Sequence, residues 1–212
     1  MNVSALLSEL VMPPVLFGLI LTGFSSPEKT VIETRYETAV ADKKEPGPWA
    51  YKLLTQAQTS FPSKEGRFSI TLPPAFPTFK HTQQTQPTSV GNVELHIYLS
   101  EISSGACMLG YSDFPPDSFE GRSAQKILED GSAGSLKNLN GTLEKQESIT
   151  VQGYPGLAGY GSGESDGKKF YVRFEFVLVK PRAYQIGYLA YDRTDLDKPE
   201  IQAYFKSFRV EN

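Results

Sequence analysis

The two histidines, His81 and His96, are the side chains best suited to acid–base chemistry or metal binding. His96 lies in the alternating run 93–99, whose period of two predicts a strand with Glu94, His96 and Tyr98 on one face. A histidine in that position can bind a metal or titrate near neutral pH. A surface or hydrogen-bonded histidine is the simpler reading of the same pattern. His81 lies in a polar stretch, and we expect it to be solvated.

No run of the sequence completes a catalytic motif. The Gly159–Gly163 segment has neither the spacing of a nucleophile elbow nor that of a phosphate loop, and it predicts a flexible loop. The carboxylates of Asp192–Asp197 lack the glycine and distal glutamate of a calcium loop, so helix capping by Asp195 or Asp197 is the simpler account. We therefore predict a non-enzymatic protein, with a hydrolase-like site assembled only in three dimensions as the alternative.

Composition excludes several partners and cofactors. The formal net charge is −3, and the densest basic group is Lys168-Lys169 with Arg173, which is too sparse for a nucleic-acid footprint. The single cysteine, Cys107, lies in an apolar run and is expected to be a buried hydrophobe. No Cys/His spacing indicates zinc, so we predict no metal, no cofactor and no nucleic acid.

Tyrosines give the best signal for binding, because they combine apolar area with a polar tip. Those considered for an aromatic binding surface are Tyr154, Tyr160, Tyr171, Tyr188 and Tyr191. Packing beneath helices that cover the sheet explains many of them equally well. The residues that we predict as a possible binding surface are His96, Tyr98, Tyr154, Tyr160 and Arg173.

The N-terminus carries an almost wholly apolar run, residues 11–24. This is shorter than the roughly 20 residues that a membrane helix needs and fits the apolar region of a signal peptide. Leu21-Thr22-Gly23 resembles the end of a bacterial lipoprotein signal, but Phe24 stands where that signal has its lipidated cysteine. We interpret residues 1–26 as a signal peptide or membrane anchor, and expect an exported or membrane-associated protein.

The remaining chain divides into a polar linker, residues 27–62 with a possible short strand at 31–36, and a packed domain, residues 63–212. Alternating apolar residues predict strands at about 67–72, 78–84, 93–99, 106–114, 141–152, 169–180 and 183–191. A helix is expected near Ser123–Asp130, interrupted by Gly131 and Gly134 and followed by a further turn of helix to Leu139, and another helix over Pro199–Ser207. Meandering strands with two helices predict an α+β fold, an antiparallel β-sheet flanked by helices.

The order of several phrases resembles the PsbP-like family, whose fold is shared with a Ran-binding family. The phrases are Gly66-Arg67-Phe68-Ser69-Ile70-Thr71-Leu72-Pro73, Tyr111-Ser112-Asp113-Phe114-Pro115, Ala124-Gln125-Lys126-Ile127-Leu128, Gly153-Tyr154-Pro155-Gly156, Arg182-Ala183-Tyr184-Gln185-Ile186 and Tyr204-Phe205-Lys206-Ser207-Phe208. The resemblance covers about residues 66–210 and implies an α/β/α sandwich that acts as a binding or assembly module. No metal ligand of that family matches this chain.

Together these features predict a non-catalytic, exported or membrane-associated binding or assembly domain with a protein partner in the cell envelope or at a membrane. A small-ligand carrier is a further alternative. The sequence does not specify the partner or the oligomeric state.

Overall fold

The computed structural model describes residues 60–88, 91–165 and 167–211. The predicted leader, Phe24 and the possible strand at 31–36 lie outside these residues. The strands are β1 (Ser60–Ser63), β2 (Phe68–Thr71), β3 (Lys80–Thr88), β4 (Gly91–Ile102), β5 (Gly105–Asp113), β6 (Gly141–Val151), β7 (Tyr154–Ser165), β8 (Lys168–Val179), β9 (Arg182–Ala190) and β10 (Arg209–Val210). The helices are α1 (Ala124–Asn138) and α2 (Pro199–Ser207), with single 3₁₀ turns at Pro116–Phe119 and Arg193–Asp197.

Seven strands form one antiparallel sheet in the order β3-β4-β5-β9-β8-β7-β6. Two meanders, β3 to β5 and β6 to β9, meet where β5 pairs with β9 and Leu109 lies opposite Ile186. Helix α1 carries the chain from β5 in the middle of the sheet to β6 at its edge. Every residue of β9 is buried, because this strand lies between β5 and β8 in the middle of the sheet and both of its faces are covered.

A layer of other elements covers each face of the sheet. On one face, Ile127, Leu128 and Leu136 of α1 pack with Phe174 and Phe176 of β8. On the other face, α2 and a three-stranded sheet of order β1-β2-β10 form a second core, with Phe68, Ile70, Ile201, Tyr204 and Phe205 among its members. The predicted α+β class, an antiparallel sheet flanked by helices, is confirmed.

Helix α1 is continuous where the sequence predicts a break. Ser123 caps it by accepting a hydrogen bond from the Lys126 amide, and the helix then continues through Gly131 and Gly134 to Asn138. Apolar burial along one side outweighs the penalty of about 1 kcal/mol that each glycine adds, so the predicted interruption is wrong. Helix α2 has the predicted bounds. Neither helix of the described chain has the length and apolar composition needed to cross a bilayer.

Strand β7 corrects another prediction, because the segment Gly159–Gly163 is not a flexible loop. Its glycines alternate along the strand and face α1. A Cβ atom would lie 2.4 Å from the Phe174 ring at Gly159, 2.6 Å from Leu136 at Gly161 and 2.5 Å from the Phe170 ring at Gly163. The glycines therefore make room for neighbouring side chains and do not serve chain flexibility.

The carboxylates of 192–197 also differ from expectation. Asp192 caps the 3₁₀ turn by accepting bonds from the Thr194 amide at 2.9 Å and the Thr194 hydroxyl at 2.8 Å. Asp195 instead pairs with Lys198 at 2.7 Å, and α2 has no side-chain cap. The prediction that Asp195 or Asp197 is the capping residue is therefore wrong, because the residue that caps is Asp192. Among the described residues, no three His, Cys, Asp or Glu side chains are grouped as metal ligands.

Candidate functional site

The residues predicted as a binding surface share the face of the large sheet that α2 covers, but they form two groups. His96 and Tyr98 lie on β4, whereas Tyr154 and Tyr160 lie on β7 and Arg173 lies on β8. Strands β5 and β9 separate β4 from β8, which places the groups roughly 14 Å apart at about 4.8 Å per strand. The predicted residues therefore lie at two separate ends of this face.

Four stacked rings occupy the first end, and we name Tyr111, His96, His81 and Tyr98 the ring ladder. Ring centroids are 4.4 Å apart for Tyr111 and His96, 5.4 Å for His96 and His81, and 4.3 Å for His81 and Tyr98, and the planes are within 11° in each pair. His81 Nε2 and His96 Nδ1 are 3.2 Å apart, so one ring donates a hydrogen bond to the other. His81 is exposed as expected, but it is also bonded, and His96 is a buried, hydrogen-bonded histidine.

Arg182 fixes the ring ladder in place. Its guanidinium lies 4.2 Å from the centre of the Tyr111 ring and donates to both carboxylate oxygens of Asp113, at 2.7 and 2.5 Å. Its remaining nitrogen donates to the Glu65 carbonyl at 2.9 Å, and the Tyr184 hydroxyl donates to the Gly66 carbonyl at 2.8 Å. The loop between β1 and β2 is thereby attached to the large sheet, and this end of the face is closed.

Burial and charge set the protonation states at this end. Burial lowers the pKa of His96, against the opposing effect of the Glu65 carboxylate 3.9 Å away. The hydrogen bonds from Arg182 lower the pKa of Asp113. Burial raises the pKa of Tyr111. At neutral pH the ladder therefore holds a neutral imidazole and a neutral phenol beside one paired arginine and carboxylate.

The second end holds what we name the tyrosine face: Tyr154 and Tyr160 on β7 and Tyr171 on β8. All three are half-buried and pack along the rim of the core beneath α2. Tyr154 and Tyr160 are about 20 Å apart along the strand, at about 3.3 Å per residue. Between them, Gly156 makes room for its neighbours, since a Cβ atom there would lie 2.8 Å from the Phe176 carbonyl and 2.9 Å from the Ile149 side chain. The tyrosines thus lie at the rim of the core with part of each ring accessible to solvent.

The turn between β6 and β7 fixes one end of the tyrosine face. Gln152 and Gly153 both have positive φ, 50° and 85°, as a two-residue hairpin turn of the primed type requires. The Gln152 amide pairs with the backbone of Val210, donating to its carbonyl at 3.2 Å and accepting from its N–H at 2.6 Å. This side chain replaces a strand partner and holds β7 against β10.

An ion pair lies beside the tyrosine face with little access to water. Arg173 donates to Glu175 at 3.1 Å, and their side chains are only 11% and 13% exposed. The Arg173 guanidinium lies 4.2 Å from the centre of the Phe205 ring and 5.8 Å from that of Tyr160. Burial raises the pKa of Glu175, and Arg173 opposes that rise. Within the described chain, Arg173 Nη1 is buried without a hydrogen-bond partner, so the pair is incompletely satisfied.

A polar groove of about 410 Å³ continues from the tyrosine face at Tyr171. Arg193 crosses it with hydrogen bonds to both carboxylate oxygens of Glu144, at 3.0 and 2.5 Å, and Ser162 donates to the same carboxylate. Arg193 also lies 5.6 Å from the centre of the Tyr171 ring. The groove is lined by Thr142, Glu144, Ser162, Gly163, Glu164, Lys169, Tyr171 and Arg193, whose charges cancel. It can offer hydroxyl and charged hydrogen-bonding groups to a polar ligand.

Sequence reasoning missed several of these residues. No local sequence pattern connects Tyr111 and Asp113 with Arg182, because a single sequence does not show that β5 pairs with β9. Glu144 and Arg193 are likewise joined only by the fold. One signal was available, since the alternation on β5 places Cys107, Leu109 and Tyr111 on one face and could have marked Tyr111 as a core residue.

Comparison with known proteins gives a partial likeness of fold. No family model matches the sequence, and no curated protein matches it. The solved structures that match include the cyanobacterial PsbP (CyanoP) of Synechocystis sp. PCC 6803, with 12% identity over 72% of this chain and 91% of that chain at a TM-score of 0.49.

Two further matches come from other bacteria. LpqN, involved in cell envelope biogenesis of Mycobacterium tuberculosis, is 15% identical over 78% of this chain and all of its own length, 100%, at a TM-score of 0.41. PA94 of Pseudomonas aeruginosa, a protein of unknown function, is 14% identical over 70% of this chain and 90% of that chain, at a TM-score of 0.37. At these values the likeness concerns the course of the chain and carries no information about activity or partner.

Proposed function

We propose that this chain is a non-catalytic binding domain that engages a protein partner through the tyrosine face. One observation carries the proposal. Tyr154, Tyr160 and Tyr171 remain partly exposed on neighbouring strands, although the tyrosines at the other end of the same face, Tyr98 and Tyr111, are buried. Partly exposed tyrosines held on β-strands provide contact area to a partner at a low cost in side-chain entropy.

The charges beside the tyrosine face support the same function. Arg173 and Glu175 are almost desolvated, and a buried ion pair is weak as a source of stability. Tyr160 and Arg173 are directly opposite each other on neighbouring strands, so the aromatic and cationic groups form one contiguous patch. Tyrosine and arginine are the side chains enriched where partner proteins bind most strongly.

The protein-binding proposal can be tested by mild chemical cross-linking and affinity capture of the full-length tagged protein in its native cells. We expect a product of discrete mass with the original sequence and with Lys137→Ala, which changes an exposed residue of α1 on the opposite face. Tyr160→Ala should remove that product, and Tyr160→Phe should retain most of it. A product that Tyr160→Ala leaves unchanged would contradict the proposal, as would the absence of any discrete product.

The polar groove favours a second candidate function, binding of a small polar ligand. Its volume falls in the range of small-molecule sites, but its lining is more polar and more open than is usual for them. A ligand bound there would raise the melting temperature of the original protein. Lys169→Ala, which removes one groove cation, should abolish that rise without removing the Tyr160-dependent cross-link. A screen of polar metabolites that moves no melting temperature would end this alternative.

We further propose that the domain acts outside the cytoplasm, at or near a membrane, because residues 11–24 have the length and apolar character of a signal region. A reporter active only after export, fused behind residue 62, should be active with the original leader. Two charged substitutions in the leader, Leu16→Arg and Leu19→Arg, should silence it. Equal reporter activity with both leaders would contradict export by this segment.

A further inference from the structure

The ring ladder contains both histidines of the chain, in a contact that one added proton would change. Nε2 of His81 and Nδ1 of His96 are 3.2 Å apart, which requires one nitrogen to carry the proton and the other to be free. If both rings became charged, two N–H groups would face each other and two positive charges would lie within hydrogen-bonding distance. Protonation of His96 alone also changes the contact, because its charged Nδ1–H can then be taken either by His81 Nε2 or by the Glu65 carboxylate 3.9 Å away, and a carboxylate is the stronger acceptor.

Charges on the neighbouring elements decide which partner a protonated His96 would take. Glu65 in the β1–β2 loop, Glu94 on β4 and Asp113 on β5 are the carboxylates that face it, while Arg182 on β9 and His81 on β3 oppose its charge. Asp113 is already held by both nitrogens of Arg182. Glu65 has no such restraint, because its side chain is 67% exposed and its carboxylate lies 3.9 Å from His96 Nδ1.

We propose that the two histidines form a proton-operated switch, in which His96 bonds to His81 when neutral and turns to the Glu65 carboxylate when protonated, releasing His81 from the ladder. The same nitrogen, Nδ1 of His96, faces both partners, so the two bonds exclude each other. His81 is exposed and can move into water without repacking a core.

The exchange would remove a side-chain contact from the edge strand β3 and add one to the β1–β2 loop. In the neutral state His81 stacks on Tyr98 and attaches β3 to β4 through side chains as well as through the backbone. In the protonated state β3 loses that side-chain contact. The loop that Arg182 already holds at the Glu65 carbonyl gains an ion pair through the same residue. Acidification would therefore loosen an edge strand and tighten the connection between β1 and β2.

The direction of the pH dependence follows from the burial of His96. Because burial lowers the pKa of His96 in the folded protein, the unfolded chain takes up the proton more readily. The neutral arrangement is then fully present above pH 6.5, the ordinary histidine value, and is lost as the pH falls below it. Glu65 limits this loss, since its carboxylate stabilises the protonated form.

Backbone hydrogen exchange followed by NMR across pH 8 to 5, with EDTA present, tests the switch. We expect the amides of β3 near His81 to lose protection severalfold as the pH falls, after correction for intrinsic exchange, while the amides of β8 and β9 keep theirs. His81→Phe keeps a ring against Tyr98 but cannot titrate, so its β3 protection should not depend on pH. Glu65→Gln removes the charged acceptor and should move the transition of His96 to lower pH.

Three results would overturn the proposal. The first is β3 protection in the original protein that does not change with pH. The second is an equal loss of protection in His81→Phe, which would mean that other groups drive it. The third is a rise in melting temperature at pH 8 with added zinc that requires both His81 and His96, since the pair would then be a metal site.

Discussion

The two ends of the face beneath α2 use the same kinds of side chain in different ways. At the ring ladder, Arg182 makes hydrogen bonds with Asp113 and the Glu65 carbonyl, and the tyrosines it contacts are buried. At the tyrosine face, Arg173 has a single carboxylate partner and the tyrosines stay half-exposed. Aromatic and charged residues therefore build structure where the arginine is fully hydrogen-bonded and the rings are buried, and remain available for binding where the arginine is incompletely paired and the rings are partly exposed.

The largest effect should follow from removing the arginine of the closed end. Arg182→Met removes the hydrogen bonds of a buried guanidinium to Asp113 and to the Glu65 carbonyl, but the Asp113 side chain is 53% exposed and keeps its contact with water. The free energy of unfolding should therefore fall by about 2–3 kcal/mol. Urea denaturation measures the change. Arg182→Lys keeps the charge without the planar fork and should lose less. A loss below about 1 kcal/mol for Arg182→Met would show that this end does not depend on its ion pair.

Strand β7 offers the next test, because its glycines lie against neighbouring rings and leave no room for a side chain. Gly159→Ala would place a methyl group 2.4 Å from the Phe174 ring and 2.8 Å from the Lys145 carbonyl. Such overpacking should destabilise the fold by about 1–3 kcal/mol.

The matched control for β7 is Gly131→Ala in α1, where the nearest atom to the new methyl group is 3.9 Å away. It should stabilise the protein by about 0.5–1 kcal/mol, because alanine loses less backbone entropy in a helix. Thermal unfolding of the two variants compares them directly. Equal effects at the two positions would support the flexible-loop reading of β7.

Much of the fold was predictable, and the failures share one cause. The alternation over 169–180 correctly placed Phe170, Phe174 and Phe176 on one face of β8, and the class followed from the order of strands and helices. The glycines of α1 and β7 lead to wrong predictions of a helix break and a flexible loop, because a glycine appears the same in the sequence whether it allows a turn or makes room for a neighbouring ring. These glycines are Gly131, Gly134, Gly159, Gly161 and Gly163. Only the packed structure distinguishes these cases.

The candidate site was predictable in part. Residue type selects Tyr160 and Arg173, which are paired on neighbouring strands, and Tyr154, which lies about 20 Å away along β7 on the same face. His96 and Tyr98 lie at the other end of the face. The sequence could not show the separation, since it depends on β9 being inserted between β5 and β8. Tyr111 and Arg182, which complete the ring ladder, come from different meanders for the same reason.

A smaller effect is expected when the ion pair beside the tyrosine face is replaced as a whole. Arg173→Met combined with Glu175→Leu removes two desolvated charges and keeps their apolar volume. Stability at neutral pH should be unchanged or higher by about 1 kcal/mol, unlike the loss expected for Arg182→Met. Glu175→Leu alone should destabilise, because it leaves Arg173 buried without a partner. A double variant as unstable as that single one would show that Arg173 and Glu175 are not coupled.

The smallest change in stability should come from truncating the partly exposed ring of Tyr160. Tyr160→Ala is expected to lower the free energy of unfolding by no more than about 1 kcal/mol, because the side chain is half-buried at the rim of the core. Denaturant titration gives this value. A loss of several kcal/mol would make Tyr160 a core residue, and a loss of capture in that variant could then no longer be attributed to binding.

Site-specific photo-cross-linking from the two ends of the same face tests the central claim most directly. A photoreactive side chain would replace Tyr160 in one full-length protein and the exposed His81 in another, and both would be irradiated in native cells. The account predicts a discrete protein adduct from position 160 and none from position 81. An adduct from position 81 alone, or equal adducts from both, would contradict the assignment of binding to the tyrosine face.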